Sequence, residues 1–282
     1  MTIESSFAAR DRTAHPLDIA TRLERSSNGR LHGATAEDYW NMTGPWGGTT
    51  AATLLRAALE SPSRFGDPVA LTVNFCAPIA RGEFFIDLRE VRRNRSTQHW
   101  SIELSQDGQG VAATASAVFA ARRETWAHRP AVMPEVPPPA ALRPMSTEGR
   151  NAWLQRYDFR FVEGEPDFGP RAEGALSGTR SRVWLSELPA RRLDFLSLAA
   201  LTDIFFVRIF QVRGRMSPAS TVSLTSYFHV DETDLAALDP QPLLGTVDSR
   251  VFTKGYFDQS AEIWSPGGAL LATTAQTVYY KE

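Results

Sequence analysis

Residues Phe195–Phe210 read FLSLAALTDIFFVRIF, and the fold of the whole chain turns on how this run is read. Nearly every position is apolar, which is the composition of a helix buried on all sides rather than one lying on a surface. One acid, Asp203, interrupts it. An unbroken helix over Arg192–Phe210 would surround Asp203 with Leu196, Ala199, Ala200, Phe206, Val207 and Phe210, all of them apolar neighbours three, four or seven positions away. A carboxylate in such a place costs several kcal/mol unless it is paired or neutralised. An acid kept there is a candidate site residue. The alternative is an acid that turns to the edge of the core and accepts hydrogen bonds from loop backbone.

The rest of the chain has the apolar mass to bury such a helix. Its 282 residues fit one large domain or two of ordinary size, and 43% hydrophobic with 22% charged residues is a globular composition. A net charge of −2 gives no electrostatic case for nucleic acid or for anionic membranes. A single cysteine, Cys76, excludes an intrachain disulfide and a cysteine metal cluster and fits a reducing compartment. The opening MTIESSFAARDRTAHPLD has no apolar core of the signal-peptide kind. The buried run is too short for a membrane span and is broken by Asp203 and Arg208. A cytoplasmic protein is expected.

Working outward, residues 1–30 are polar, with a short entry strand expected after a loose start. Gly44-Pro45-Trp46-Gly47-Gly48-Thr49 then forms a glycine-rich turn into a helix. Ala51, Leu54, Leu55, Ala58 and Leu59 give that helix one buried face, and Ser61-Pro62 ends it. Strands are expected at Val69–Phe75, Phe84–Arg92, Gln98–Leu104 and Val111–Phe119, the last two joined across the Asp107-Gly108 hairpin signal. Six prolines between Pro130 and Pro144 mark an extended connector that cannot join a sheet interior. Beyond it the order returns. Opening strands are expected at Trp153–Val162 and Leu176–Leu185, followed by the buried helix. Further strands are expected at Ser220–His229, Leu244–Thr253, Phe257–Ile263 and Leu270–Tyr280.

The halves can be laid on each other. An offset of 153 carries Leu71, Thr72 and Phe75 onto Leu224, Thr225 and Phe228. An offset of 159 carries Ser101, Glu103, Gly108, Ala113 and Thr114 onto Ser260, Glu262, Gly267, Ala272 and Thr273. The change falls at an extra loop around Asp234–Pro242. This reads as an internal duplication, with one repeat over residues 1–127, a linker over 128–150 and a second repeat over 151–282.

A glycine-led helix wrapped by a long antiparallel sheet, present twice, resembles the double-hotdog acyl-CoA thioesterases, in particular the thioesterase II type. The resemblance rests on Trp46-Gly47-Gly48, on Leu71–Pro78 (LTVNFCAP), on Leu201-Thr202-Asp203, on Thr221-Val222 with Tyr227-Phe228-His229, and on Leu271–Gln276. It implies an α+β fold of two tandem hotdog repeats and hydrolysis of an acyl-CoA thioester in lipid metabolism. It further implies that Asp203, Thr221 and Gln276 surround the attacking water. The first repeat has Thr50 and Ala117 where offsets of 153 and 159 place Asp203 and Gln276, so only the second half keeps the polar set. Ser220 or Ser223 are alternatives to Thr221.

Those residue types suit the chemistry. An acid in apolar surroundings has a raised pKa and useful general-base strength, while an amide and a hydroxyl can orient a water. Gly47 and Gly48 at a helix start are candidates for oxyanion donors, or serve close helix–sheet packing. Arg92-Arg93-Asn94-Arg95 reads as a solvated turn, or as a place where Arg93 and Arg95 meet the phosphates of coenzyme A. No cofactor is expected. The histidines have no metal-ligand spacing, and no Gly-x-Ser-x-Gly, dinucleotide or P-loop motif occurs. Two other functions compete: a non-catalytic acyl- or CoA-binding hotdog protein, and an enoyl-CoA hydratase, which would want a histidine where Arg208 stands. Exposed sheet edges make a homodimer or higher oligomer the expected assembly.

Overall fold

In the computed structural model, residues 14–27, 29–169, 172, 174–238 and 240–281 are described. Most of the residues 1–18 read for a signal peptide lie outside them, and the expected entry segment is a short helix α1 (Pro16–Ala20) followed by β1 (Glu24–Arg25) and β2 (Leu31–Ala34). The glycine-rich turn leads into α2 (Gly47–Leu59), whose Ala51, Leu54, Leu55 and Ala58 are fully buried. Then come β3 (Asp67–Phe75), β4 (Glu83–Arg93), β5 (Thr97–Gln106) and β6 (Gly110–Ala120). On β6 the inward residues Ala113, Ala115 and Ala117 are small, which lets α2 lie close against the sheet.

The proline-rich connector carries no strand. The second half runs β7 (Tyr157–Glu163), β8 (Ser181–Glu187), α3 (Phe195–Leu201), α4 (Arg208–Arg213), β9 (Ala219–Phe228), α5 (Glu232–Ala236), β10 (Leu243–Asp248), β11 (Phe252–Thr253), β12 (Tyr256–Trp264) and β13 (Leu270–Tyr280). All strands join one antiparallel sheet in the order β1-β2-β4-β5-β6-β3-β9-β13-β12-β10-β8-β7, with β11 beside β12. Each helix layer lies on its own half of the sheet, and α2 packs against α3 across the middle. This is a double hotdog.

The duplication is visible in the register. Thr72 and Thr225 stand opposite each other where β3 meets β9, their hydroxyls 3.0 Å apart, so the two repeats are related about that pair. Ser101 faces Ser116 on β5–β6, and Ser260 faces Ala275 on β12–β13, the same register carried by the offset of 159.

Several expectations change. The helix read over Arg192–Phe210 is two helices. Asp203 and Ile204 donate to the carbonyls three residues back, Ala200 and Leu201, at 3.1 and 3.2 Å, a tightened turn that stops α3. Val207 is extended at ψ 116°. The following Ile204-Phe205-Phe206-Val207 is aromatic and β-branched, a run with weak helix preference. Asp203 therefore lies on the turn between α3 and α4, not in mid-helix. The strand expected from Leu176 begins at Ser181, and Leu244–Thr253 divides into β10 and β11.

A stack of tryptophans ties the connector's far end to the first repeat. Trp153 lies flat on Trp46, with ring centroids 4.7 Å apart at 6°, and both rings are buried. Trp153→Ala should lower unfolding free energy by roughly 3–5 kcal/mol, read as a shift in urea midpoint with the slope unchanged. A midpoint equal to wild type would show that the stack contributes nothing.

Candidate active site

Asp203 is brought to the N-terminus of α2, which belongs to the other repeat. The α2 N-cap position is Trp46, which offers no side-chain cap. The Asp203 carboxyl stands there instead, from across the core, where the backbone N–H of Gly48 and the helix dipole favour its charged form. Trp46 Nε1 donates to the Asp203 carbonyl at 3.2 Å, fixing the turn against the helix start. The approach needs glycine. A Cβ on Gly47 would sit 2.7 Å from Asp203 Oδ2, and one on Gly48 would sit 2.4 Å from the Trp46 ring.

Gln276 reaches the same carboxylate from β13, its Nε2 donating to Asp203 Oδ1 at 2.9 Å and, more weakly, to the Thr202 carbonyl at 3.4 Å. Thr221 Oγ1 donates to Gln276 Oε1 at 3.4 Å. A hydroxyl, an amide and a carboxylate thus form one chain. Thr221 points this way because of a bulge. Between the pairs Ser223–Thr277 and Thr221–Val278, Val222 has no partner, so the facing alternates irregularly and Thr221 shares the inward side with buried Val278. Ser223 faces the other way, and Ser220 is exposed at the rim. Thr202 is itself held, donating to Ala199 at 2.7 Å and accepting from Ser226 at 2.8 Å.

These groups border a cavity of about 640 Å³ that also reaches Gly47, Phe205, Phe206, Phe210, Gln259 and Arg150. Burial pushes the Asp203 carboxyl up to about 7, only partly opposed by the hydrogen bonds from Gln276 and Gly48. A raised carboxyl pKa is not unique to this place. Burial also lifts Glu187 to about 7, but Glu187 is tied to Ser197 at 2.8 Å and does not border the cavity.

Three further expected site residues, Arg93, Arg95 and Gly48, are placed as follows. Arg93 pairs with Glu90 at 3.3 Å and donates to the Ser63 carbonyl, beyond the C-terminal end of α2. The cavity opens at the other end of that helix, about 18 Å away, and neither Arg93 nor Arg95 lines it. The cation that does is Arg150. The N–H of Gly48, an expected oxyanion donor, also favours the charged form of Asp203. Arg208, where a hydratase would want its histidine, is buried and donates to Ser181 Oγ at 2.7 Å, away from the cavity. Among the described residues no cluster of histidine, cysteine or acidic side chains could hold a metal.

Residue reading missed Gln259 and Arg150. The repeat held a signal for Gln259. The offset of 159 places it on Trp100 and Gln276 on Ala117, and both pairs face each other directly in the sheet. The first half fills the position with buried Trp100 and Ala117, the second with two glutamines around a cavity.

Comparison with known proteins agrees with the fold. The acyl-CoA thioesterase C-terminal domain matches residues 131–280 and the acyl-CoA thioesterase N-terminal domain matches residues 36–120. The chain belongs to the acyl-CoA thioesterase family and is a thioester hydrolase. A hot dog protein of unknown function from Alicyclobacillus acidocaldarius is 43% identical, over 96% of this chain and 99% of that one, with a TM-score of 0.89. The tesB protein of Mycobacterium avium subsp. paratuberculosis shares the fold at 19% identity, covering 94% and 98% of the two chains, with a TM-score of 0.77. An acyl-CoA thioesterase II from Mycobacterium marinum does so at 18%, covering 94% and 98%, with a TM-score of 0.73. No curated protein gives a significant match. No helix among the described residues is long and apolar enough to cross a membrane.

The raised carboxyl has a thermodynamic consequence. Asp203 titrates near 7 folded, against 3.8 ordinarily, so the folded state holds the proton more tightly and stability falls as pH rises between those values. Asp203→Asn removes this penalty. Above pH 7 it should be more stable than wild type by roughly 2–4 kcal/mol, with the gap closing toward pH 4. Denaturant melts of the two proteins across pH 4–9 read it. A pH-independent gap would mean the carboxyl is not raised.

Proposed function

We propose that the protein hydrolyses an acyl-CoA thioester to the free acid and CoA by a water activated at Asp203. The observation that carries this is the Thr221–Gln276–Asp203 chain on the wall of the cavity, with a carboxyl raised to about 7. A base of that strength is half ionised near neutral pH and can accept a proton from water. Gln276 holds the carboxylate in one orientation, and Thr221 holds Gln276.

The steps balance without a cofactor. A water placed against Asp203 gives up one proton to the carboxylate while its oxygen bonds to the thioester carbon. The carbonyl π pair moves onto oxygen, where the N–H groups of Gly47 and Gly48 at the start of α2 are the donors placed to receive it. Collapse of the tetrahedral adduct breaks the C–S bond, and the proton on Asp203 passes to the sulfur of departing CoA. Acid and thiol are the products, and the carboxylate is restored. The apolar end of the cavity, walled by Phe205, Phe206 and Phe210, takes the acyl group. Arg150, on the rim with Asn41 and Asn151, faces the CoA side. We place this activity in the cytoplasm, in a homo-oligomer.

The enoyl-CoA hydratase reading has no support, because Arg208 is turned into the core. Asp203→Asn should lower kcat on acyl-CoA substrates by about 10²–10⁴-fold, and Gln276→Leu by about 10²-fold. In the wild type kcat/KM should rise with pH through a midpoint near 7, since the base acts when deprotonated. Equal rates for wild type and Asp203→Asn would sink the assignment, and binding without turnover would favour a non-catalytic role.

A further inference from the structure

Gln259 is a buried amide that the thioesterase chemistry above does not use. It is 3% exposed and its Oε1 accepts no hydrogen bond among the described residues. It stands on the inward face of β12 between buried Phe257 and Ala261 and lines the cavity. A buried amide oxygen left unpaired costs about 1–3 kcal/mol.

From these facts, and resting on the thioesterase reading, we infer that Gln259 is a specificity-determining residue that receives a hydroxyl group on the acyl chain of the substrate. The place follows from the sheet. Gln259 and Gln276 are directly opposed on β12 and β13, so their backbones are about 5 Å apart and their side chains stand abreast on one face. Gln276 marks the reacting carbon through Asp203. The group that Gln259 receives is therefore a hydroxyl three bonds from the reacting carbon, on C3 of the acyl chain. The kind of group follows from the amide. A hydroxyl donates to Oε1 and can accept from Nε2, answering both ends of the side chain. A plain hydrocarbon chain filling the cavity would answer neither and would strip water from the amide. A carboxylate would want a cation, and the cation lining this cavity is Arg150, on the rim.

The repeat supports the same reading. The equivalent facing pair in the first half, Trp100 and Ala117, closes the space with an indole over a methyl group and is buried at 3% and 1%. The second half keeps the space open and lines it with a second amide. An acyl pocket selecting for hydrocarbon alone needs no such group, since apolar side chains would line it without the desolvation cost.

The test compares kcat/KM for matched substrates, butanoyl-CoA against 3-hydroxybutanoyl-CoA and octanoyl-CoA against 3-hydroxyoctanoyl-CoA. The wild type should prefer the hydroxylated member by about tenfold or more at one of the two lengths. In Gln259→Met, which keeps the volume and loses the amide, that ratio should fall to about one or below. Gln259→Asn, which retains the amide one carbon short, should give an intermediate ratio, and serves as the second variant if the methionine form does not fold. A wild-type ratio of one or less at both lengths overturns the inference without any variant, as does a variant that keeps the wild-type ratio. Failure of the wild type to hydrolyse any of the four would instead overturn the thioesterase reading on which the inference rests.

Discussion

The contact on which the rest depends is a carboxylate from the second repeat held at the helix start of the first. Asp203 cannot be considered apart from α2, because the N–H of Gly48 favours its charge and the space it occupies exists because Gly47 has no side chain. Neither repeat alone contains this arrangement. The meeting of the start of α2 with the C-terminal end of α3 is what joins the two hotdog units at this site. The in-register β3–β9 seam sets where they meet.

Duplication leaves a choice at each equivalent position, and the two halves have taken opposite ones. Where the second half has Asp203, Thr221, Gln259 and Gln276, the first has Thr50, Pro68, Trp100 and Ala117. The bulge that turns Thr221 inward has its counterpart at Val69, between Pro68 and Ala70, so the backbone is shared and only the side chains differ. A buried polar group must be paired or serve a ligand to be tolerated. Tryptophan and alanine at Trp100 and Ala117 close the space in the first half, whereas the cavity between the halves opens onto Gln259 and Gln276 of the second.

The same physics explains why α3 ends where it does. A carboxylate in mid-helix would have to face hydrocarbon, whereas on a turn it can swing to a helix N-terminus and an amide. The chain accepts a short helix, a tightened turn and a restart at α4 to allow this. Thr202 and Ser226, bonded to each other and to α3, hold the turn from beneath.

The order of helix and strands, the repeat and its offsets, and the presence of one out-of-place acid were all legible in the amino-acid sequence, because they rest on periodicity and composition, which are local. Asp203 could be picked out because a charge among apolar residues is costly wherever the run folds. The partners of that charge could not be read in this way. Gly48 lies more than a hundred positions away, and it is brought beside Asp203 by packing rather than by residue type. The facing of Thr221 depends on a bulge that no alternation pattern announces. Arg93 and Arg95 carry the right charge at the wrong end of α2, a matter of distance along a helix axis. Gln259 reads as one more polar strand residue until the sheet sets it opposite Gln276 inside the cavity. Local sequence determined which elements form. Only the closure of the sheet and the crossing of α2 and α3 decided which side chains share a site, because those neighbours are set by contacts between segments far apart in the chain.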